Sequence, residues 1–208
     1  DDVQPGSPAE GALQPGDILV QIQGQRITTF EPLAAVLDDS VGRTIDVEVE
    51  RGGQRIEVQL EVQDLHAITP AEYLEFGDAV VHRLSYQMAR HFNAPIQGIF
   101  VANPGYALGA SGVPRGAVIT SIGGQAVATL EEFEVALARL PDGARTTLRY
   151  KTLDDPQGTQ TEEFRMDRRW YPAARCRRDD STGYWPCREL AAPPSAEATK
   201  PAVTSFVM

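Results

Sequence analysis

Lysine is almost missing from this sequence. Of 19 basic residues only Lys151 and Lys200 are lysines, against 29 acidic residues, and the formal net charge is −10. A chain so short of positive charge argues against a nucleic-acid groove or an anionic membrane surface as partner, since both draw on clustered Lys and Arg. No apolar run approaches the roughly 20 residues of a membrane span, and no signal-peptide pattern opens the chain. Cysteine is confined to Cys176 and Cys187, which form no CxxC pair, and HExxH and phosphate-cradling glycine loops are also absent. Nothing in the sequence calls for a metal or a cofactor.

What the chain does have is a repeat. Residues 13–37, LQPGDILVQIQGQRITTFEPLAAVL, align without a gap on residues 113–137, VPRGAVITSIGGQAVATLEEFEVAL. Gly16/Gly116, Ile22/Ile122, Gly24/Gly124, Gln25/Gln125, Thr29/Thr129, Glu31/Glu131 and Leu37/Leu137 are identical, and most other pairs exchange one apolar residue for another. Self-similarity at a fixed offset is the signature of a repeated unit. At 208 residues, 42% hydrophobic and 23% charged, the chain suits two small modules.

Each copy reads as turn, strand, turn, cap and helix. Pro15-Gly16-Asp17 turns the chain into an apolar strand, Ile18–Ile22, and Gln23-Gly24-Gln25 turns it again. Thr28 or Thr29 can cap a helix over about 30–37 that tolerates Pro32 in its first turn. Thr129 with Glu132 makes a capping box in the second copy. Leu33, Val36 and Leu37, and in the second copy Phe133, Ala136 and Leu137, form the stripe expected to be buried.

A hairpin should follow in the first copy at Gly52-Gly53, a primed two-residue turn. Pairing across it sets Val49 opposite Ile56, Val47 opposite Val58, Ile45 opposite Leu60 and Glu50 opposite Arg55, with the apolar residues on one face. The second copy keeps the strands, Leu148 and Tyr150 against Phe164 and Met166, around a longer loop at 154–158.

The run Gly6-Ser7-Pro8-Ala9, then Leu13-x-Pro15-Gly16-Asp17-Ile18-Leu19 and Gly24-Gln25, resembles the PDZ domains of HtrA-type serine proteases. Tyr73-Leu74-Glu75, His82-x-Leu84-Ser85-Tyr86-Gln87-x-Ala89-Arg90 and Asp179–Trp185 are similar to the fungal nuclear HtrA-like protease and to plant Deg-type relatives with a degenerate second protease half. The resemblance covers about residues 3–190. It implies an α+β fold of two PDZ-like modules, each a small, partly open β-barrel or sandwich capped by helices. The parent protein would then be a serine endopeptidase, in a bacterial periplasm or, as for the fungal relative, a nucleus or cytoplasm. The partners it implies are unfolded or C-terminal peptide segments of substrate proteins and the protease domain of the same chain, with a homo-oligomer as a further option.

On that basis module 1, truncated at its N-terminus, spans 1–63, module 2 spans 64–169, an aromatic and cysteine-bearing hairpin spans 170–190, and a linker with a stray strand spans 191–208. A PDZ unit adds an extended peptide to a strand edge opposite a helix. In module 2 the receiving loop would be Glu75-Phe76-Gly77-Asp78, leading into a strand Ala79-Val80-Val81-His82-Arg83, with Phe76, Val80, Phe133 and Leu137 lining the groove. Asp78 and Glu75 would oppose a bound carboxylate. Ser85 would cap a helix carrying Met88, Ala89 and Phe92. Module 1 would lack its own loop and receiving strand, so another segment, such as Val203–Met208 or a neighbouring molecule, is expected to cover that edge.

Chemistry is not expected from this chain. Gly109-Ala110-Ser111-Gly112 superficially resembles a protease nucleophile turn, but the repeat aligns Ser111 with Gly11 in a turn. His66, His82 and His91 have no acid and nucleophile arranged around them as a triad requires. Cys176 and Cys187 flank the turn-rich stretch 179–183 and fall opposite each other in a hairpin, compatible with a disulfide, with two thiols, or with half of a metal site. Trp170, Tyr171, Tyr184 and Trp185 would cover a small satellite core.

Overall fold

The computed structural model describes residues 2–191 and 193, and these fall into two compact units. The first comprises residues up to Pro70 together with Leu84–Ile96, and the second comprises Ala71–Arg83 and the residues from Gln97 onward. The expected strand Val203–Met208 lies outside the described residues.

In the first unit, β1 (Ile18–Ile22), β2 (Gln25–Arg26), β3 (Thr44–Arg51) and β4 (Gln54–Glu61) form a four-stranded sheet in the order β2-β1-β3-β4. Helix α1 (Phe30–Asp39), the short α2 (Leu65–Ile68) and α3 (Tyr86–His91) complete it. Ser85 caps α3 by accepting from the Met88 amide. The β3–β4 hairpin has the expected register, Val49 opposite Ile56, Val47 opposite Val58 and Ile45 opposite Leu60, across Gly52-Gly53, both at positive φ. Glu50 does stand opposite Arg55, although the arginine forms its ion pair diagonally, with Glu48 at 2.7 Å.

The second unit holds a nine-stranded sheet in the order β11-β10-β8-β7-β6-β5-β12-β13, with β9 on the side of β8. Its elements are β5 (Glu72–Phe76), β6 (Ala79–Arg83), β7 (Ile99–Asn103), α4 (Gly105–Ala110), β8 (Ala117–Ile122), β9 (Gln125–Ala126), α5 (Leu130–Ala138), β10 (Arg145–Thr152), β11 (Gln160–Arg165), β12 (Ala174–Arg177) and β13 (Cys187–Glu189). The fold is mixed α+β with open sheets and, among the described residues, no closed barrel.

Both copies of the repeat give strand, short strand and helix in one order, at 18–22, 25–26 and 30–39 and again at 117–122, 125–126 and 130–138. Even the irregularity recurs. β1 skips a register position against β3 between Leu19 and Gln21, and β8 does the same against β10 between Ile119 and Ser121. A bulge adds local twist to a strand. Here it frees the Val20 and Thr120 carbonyls to accept from the amides of Ile27 and Val127.

The copies differ where single residues differ. The Thr129 hydroxyl accepts from the Glu132 amide and the Glu132 carboxylate returns to the cap backbone, a complete capping box. Thr29 makes no such bond, because the residue three further on is Pro32, which has no amide to donate. Asp17 takes both guanidinium arms of Arg51 at 2.7 Å, and that hydrogen bonding holds its carboxyl at about 2. The corresponding residues of the second unit are the buried Ala117 and its register partner Thr152.

Two expectations are corrected. In the second hairpin Leu148 pairs with Glu162 and Tyr150 with Gln160, so Phe164 stands opposite Thr146, although Leu148, Tyr150, Phe164 and Met166 are all buried together. In α1 none of the residues is fully buried, whereas Phe133, Ala136 and Leu137 of α5 are. Leu33, Val36 and Leu37 only flank their small core, because no described strand of the first unit covers α1 as β5 covers α5. Phe30 is left 78% exposed.

One contact fixes how tightly β6 starts. Gly105 opens α4 at φ +52, and a Cβ there would stand 2.0 Å from the Asp78 carbonyl group. Gly116, at φ +86, faces open space. Gly105→Ala should therefore lower unfolding stability by about 3 kcal/mol or more, combining left-handed strain with a backbone clash. Gly116→Ala should cost only about 1–2 kcal/mol, for the strain alone. Urea unfolding of the two variants measures the difference, and equal losses would contradict the contact.

Candidate functional site

The expected receiving strand is β6, and the structure gives it a neighbour on each side. β7 pairs with it from Val80–Asn103 to Arg83–Ile99. On the other edge β5 runs antiparallel, with Phe76 opposite Ala79, Glu75 opposite Val80 and Leu74 opposite Val81. Gly77-Asp78, expected as the loop for a carboxylate, is the two-residue turn of this hairpin, at φ +55 and +63. That is the geometry of a type I′ turn, which glycine and aspartate tolerate. The Gly77 carbonyl accepts from the Ala107 amide, tying the turn to α4.

The side chains follow from this pairing. Phe76, Ala79, Val81, Phe133 and Leu137 are completely buried, Val80 is half-buried, and Asp78 is exposed beside the buried Gly77. Phe76 meets Phe133 of α5 edge-on at 5.5 Å and Phe164 of β11 at 6.1 Å. The structure thus brings Phe76, Phe133 and Leu137 together in a core in which β5 lies against α5, whereas Val80, which alternates with the buried Ala79 and Val81, lies outside it. Burying a side chain such as Phe76 contributes about 1.5–3 kcal/mol.

β5 is itself covered. β12 pairs along its outer edge, from Ala174–Glu75 to Arg177–Glu72, and β13 pairs with β12. Cys176 and Cys187 are register partners in that hairpin and form a disulfide. Cys176 is buried and Cys187 exposed. Of the aromatic residues expected to form a satellite core, Trp170 and Tyr184 are 71% and 76% exposed. Trp185 is less so and packs on Tyr73 at 5.3 Å. The hairpin lies along a sheet edge and encloses no second core, which leaves those rings no interior to fill.

The strongest electrostatics of the unit lie beside this strand. Arg175 of β12 binds Glu72 of β5 and both Glu131 and Glu134 of α5, and Arg188 of β13 binds Glu134 at 2.7 Å. Hydrogen bonding to Arg175 lowers the Glu131 carboxyl. Burial opposes ionisation of Glu134, but bonds from Arg188 and Arg175 outweigh it and lower that carboxyl too. The guanidinium of Arg175, although its own burial works against the charge, is held more firmly protonated by the three carboxylates.

The remaining polar residues have structural partners. The Ser111 hydroxyl donates to the Ala107 carbonyl at 2.9 Å at the end of α4. His82 bonds the Arg83 carbonyl and leans on Phe100, and His91 packs on Phe92. Among the described residues, no group of three or more His, Cys, Asp or Glu could hold a metal ion.

What the sequence reading missed is β5. Counting outward from Gly77-Asp78 sets Phe76 against Ala79 and Leu74 against Val81, the same register logic that fits Gly52-Gly53, and it identifies the hairpin. β12, about a hundred residues away in sequence, carries no comparable local signal beyond its cysteine.

Arg175 gives a pH prediction with a definite sign. Glu131 and Glu134 titrate below the unfolded value of about 4.3, so their contribution is complete above that value and is lost as pH falls through the folded ones. Arg175→Met should cost about 1–3 kcal/mol at neutral pH, by leaving carboxylates without their hydrogen-bonding cation. It should also flatten the fall in Tm between about pH 5 and pH 3 relative to the parent. Thermal melts across that range check both effects, and parallel curves would remove the arginine from the account.

The sequence profile described as "PDZ-like domain" matches residues 67–143, and one described as "PDZ domain" matches residues 1–51. Among curated proteins, "Protease Do-like 7" of Arabidopsis thaliana is 41% identical over 94% of this chain. "Pro-apoptotic serine protease nma111" of Neosartorya fischeri is 35% identical over 99% of it, and the protein of the same description in Candida glabrata is 36% identical over 96%. The chain spans about a fifth of the length of these relatives, from 18% to 21%.

Proposed function

We propose, for a chain that carries two PDZ domains and is related along nearly its whole length to HtrA-type serine proteases, a regulatory and peptide-receiving role beside a protease domain, with no chemistry of its own. The observation that carries this reading is the strand β5. An extended segment lies antiparallel to β6 and packs its alternate side chains, Leu74 and Phe76, into the core beside α5. A PDZ unit holds a peptide in that manner, by main-chain pairing along a strand edge with pockets for every second side chain. Substrate segments, unfolded or C-terminal, are the peptides such a region would handle, and a linked protease domain is the partner it would regulate.

A second reading has its own observation. Since β5 already fills the edge of β6 and is covered by β12, the second unit also suits a spacer that packs protease halves and binds no peptide.

Asp78 separates the two. It is exposed at the turn where a terminal carboxylate would arrive, and like charges at about 4 Å repel by roughly 1 kcal/mol in water. Asp78→Asn removes the charge and keeps a residue that tolerates positive φ, whereas leucine would strain the turn. Titrating free and amidated peptides against parent and variant should show the free form gaining about fivefold more affinity, or about 1 kcal/mol. Equal gains would assign Asp78 to packing, and absence of binding in all four titrations, with the disulfide intact and again with it reduced, would favour the spacer.

A further inference from the structure

We propose that β5 is a tethered occupant of the groove between β6 and α5, and that the Cys176–Cys187 hairpin is the latch that keeps it there. A dithiol reductant would release the latch and admit an extended peptide with apolar side chains at alternate positions. The inference rests on the strand-receiving role proposed above and adds its control and the class of ligand.

The hold of β5 on β6 is short. Three register pairs join them, from Phe76–Ala79 to Leu74–Val81. Its other edge is held longer, by four pairs with β12. β12 in turn reaches past β5 to the helix, since Arg175 binds Glu72 on the strand and Glu131 and Glu134 on α5. Arg188 of β13 adds a second bond to Glu134. The hairpin therefore closes over β5 and fastens to the far wall of the groove.

The arms of the hairpin are joined by the disulfide and by main-chain bonds from Arg177 to Pro186, Asp179 to Tyr184 and Leu190 to Ala173, the last between two buried residues at its base. β12 and β13 share three register pairs, one of them the cystine, and every residue of β13 is exposed. Short two-stranded hairpins are marginal in water, and the disulfide is the covalent cross-link of this one. Reduction removes that cross-link. A reductant thiolate attacks Sγ of the exposed Cys187, and the buried Cys176 leaves as thiolate and takes up a proton. The second thiolate of the reductant then displaces the mixed disulfide at its own sulfur. The products are a cyclic disulfide and a Cys187 thiol, two electrons passing from reductant to protein.

The tethered strand also states what the groove accepts. Leu74 and Phe76 point into the core and Glu75 points out, with the Phe76 ring seated between Phe133 and Phe164. A competitor needs an aliphatic residue followed, two positions on, by an aromatic one. The peptide Glu-Tyr-Leu-Glu-Phe, the sequence of β5 itself, is the probe, and the same residues ordered Phe-Leu-Glu-Glu-Tyr, which lack that spacing, are its control.

Hydrogen–deuterium exchange of the 208-residue chain, oxidised, reduced with dithiothreitol, and as the Cys176→Ser/Cys187→Ser variant, tests the latch. Amides of residues 72–81 should exchange at least tenfold faster without the disulfide, while those of β8 and β10 keep their protection. The labelled probe should then bind the reduced chain at least tenfold more tightly than the oxidised chain, and more tightly than the control does. Acceleration spread over β8 and β10 as well would make the disulfide a general staple and overturn the latch. Unchanged exchange at 72–81 would overturn it too. Fast exchange at 72–81 with no binding of the probe would leave the latch standing and overturn the strand-receiving role beneath it.

Discussion

A strand inside a sheet must satisfy the backbone on both of its edges, and in the second unit that requirement falls on β6. Its amides and carbonyls need a partner beside α5 as well as beside β7, and β5 supplies it. The rest follows outward from this pairing. Because β5 is extended, alternate residues face inward, so Leu74 and Phe76 join the core and meet α5 and β11. Because β5 then has an outer edge of its own, β12 adds to it. Because β12 begins beside α5, a single arginine can reach three carboxylates on two elements. An unpaired edge buried beside a helix would have been costly, and each addition moves the open edge one strand farther from the core.

The first unit shows the same repeat without that addition. Its sheet ends at the two-residue β2 beside β1, its helix has no fully buried residue, and Ile18 is 61% exposed. Its firm features lie on the other side, in the β3–β4 register and in the Asp17–Arg51 pair that joins the start of β1 to the end of β3. Two copies of one pattern thus settle into different environments. The local conformations agree to the position of a bulge, while burial differs according to what covers the helix.

That division explains what could be read from the sequence. Elements set by local chemistry were legible: the capping box at Thr129 and Glu132, the Gly52-Gly53 turn and its register, the cap at Ser85, and the opposed cysteines. The resemblance to PDZ domains of HtrA-type proteases agrees with the matched profiles and relatives. Phe76, Phe133 and Leu137 were legible as a set, but Val80 falls outside their core and the surroundings were not legible. Residues 75–78 match a family's binding-loop pattern, yet Gly77-Asp78 also sits at the centre of an apolar register, Phe76 with Ala79 and Leu74 with Val81, which is that of a hairpin. The β5–β12 pairing joins residues 72–75 to 174–177, and a β-ladder between segments so distant leaves no periodic trace in either. Trp170 and Tyr184 misled for a related reason: aromatic residues mark a core only where the topology encloses one.

The last strand of the larger sheet has its own consequence for how copies of this chain behave when crowded. β13 is three residues long and presents Arg188 and Glu189 to solvent. At the opposite end β11 carries Glu162, Glu163 and Arg165 among its six residues. Long, flat, apolar edges recruit further strands and seed fibres, whereas short or charged ones make poor templates. A sheet this wide, with one end short and the other charged, offers a further strand a poor template at either end.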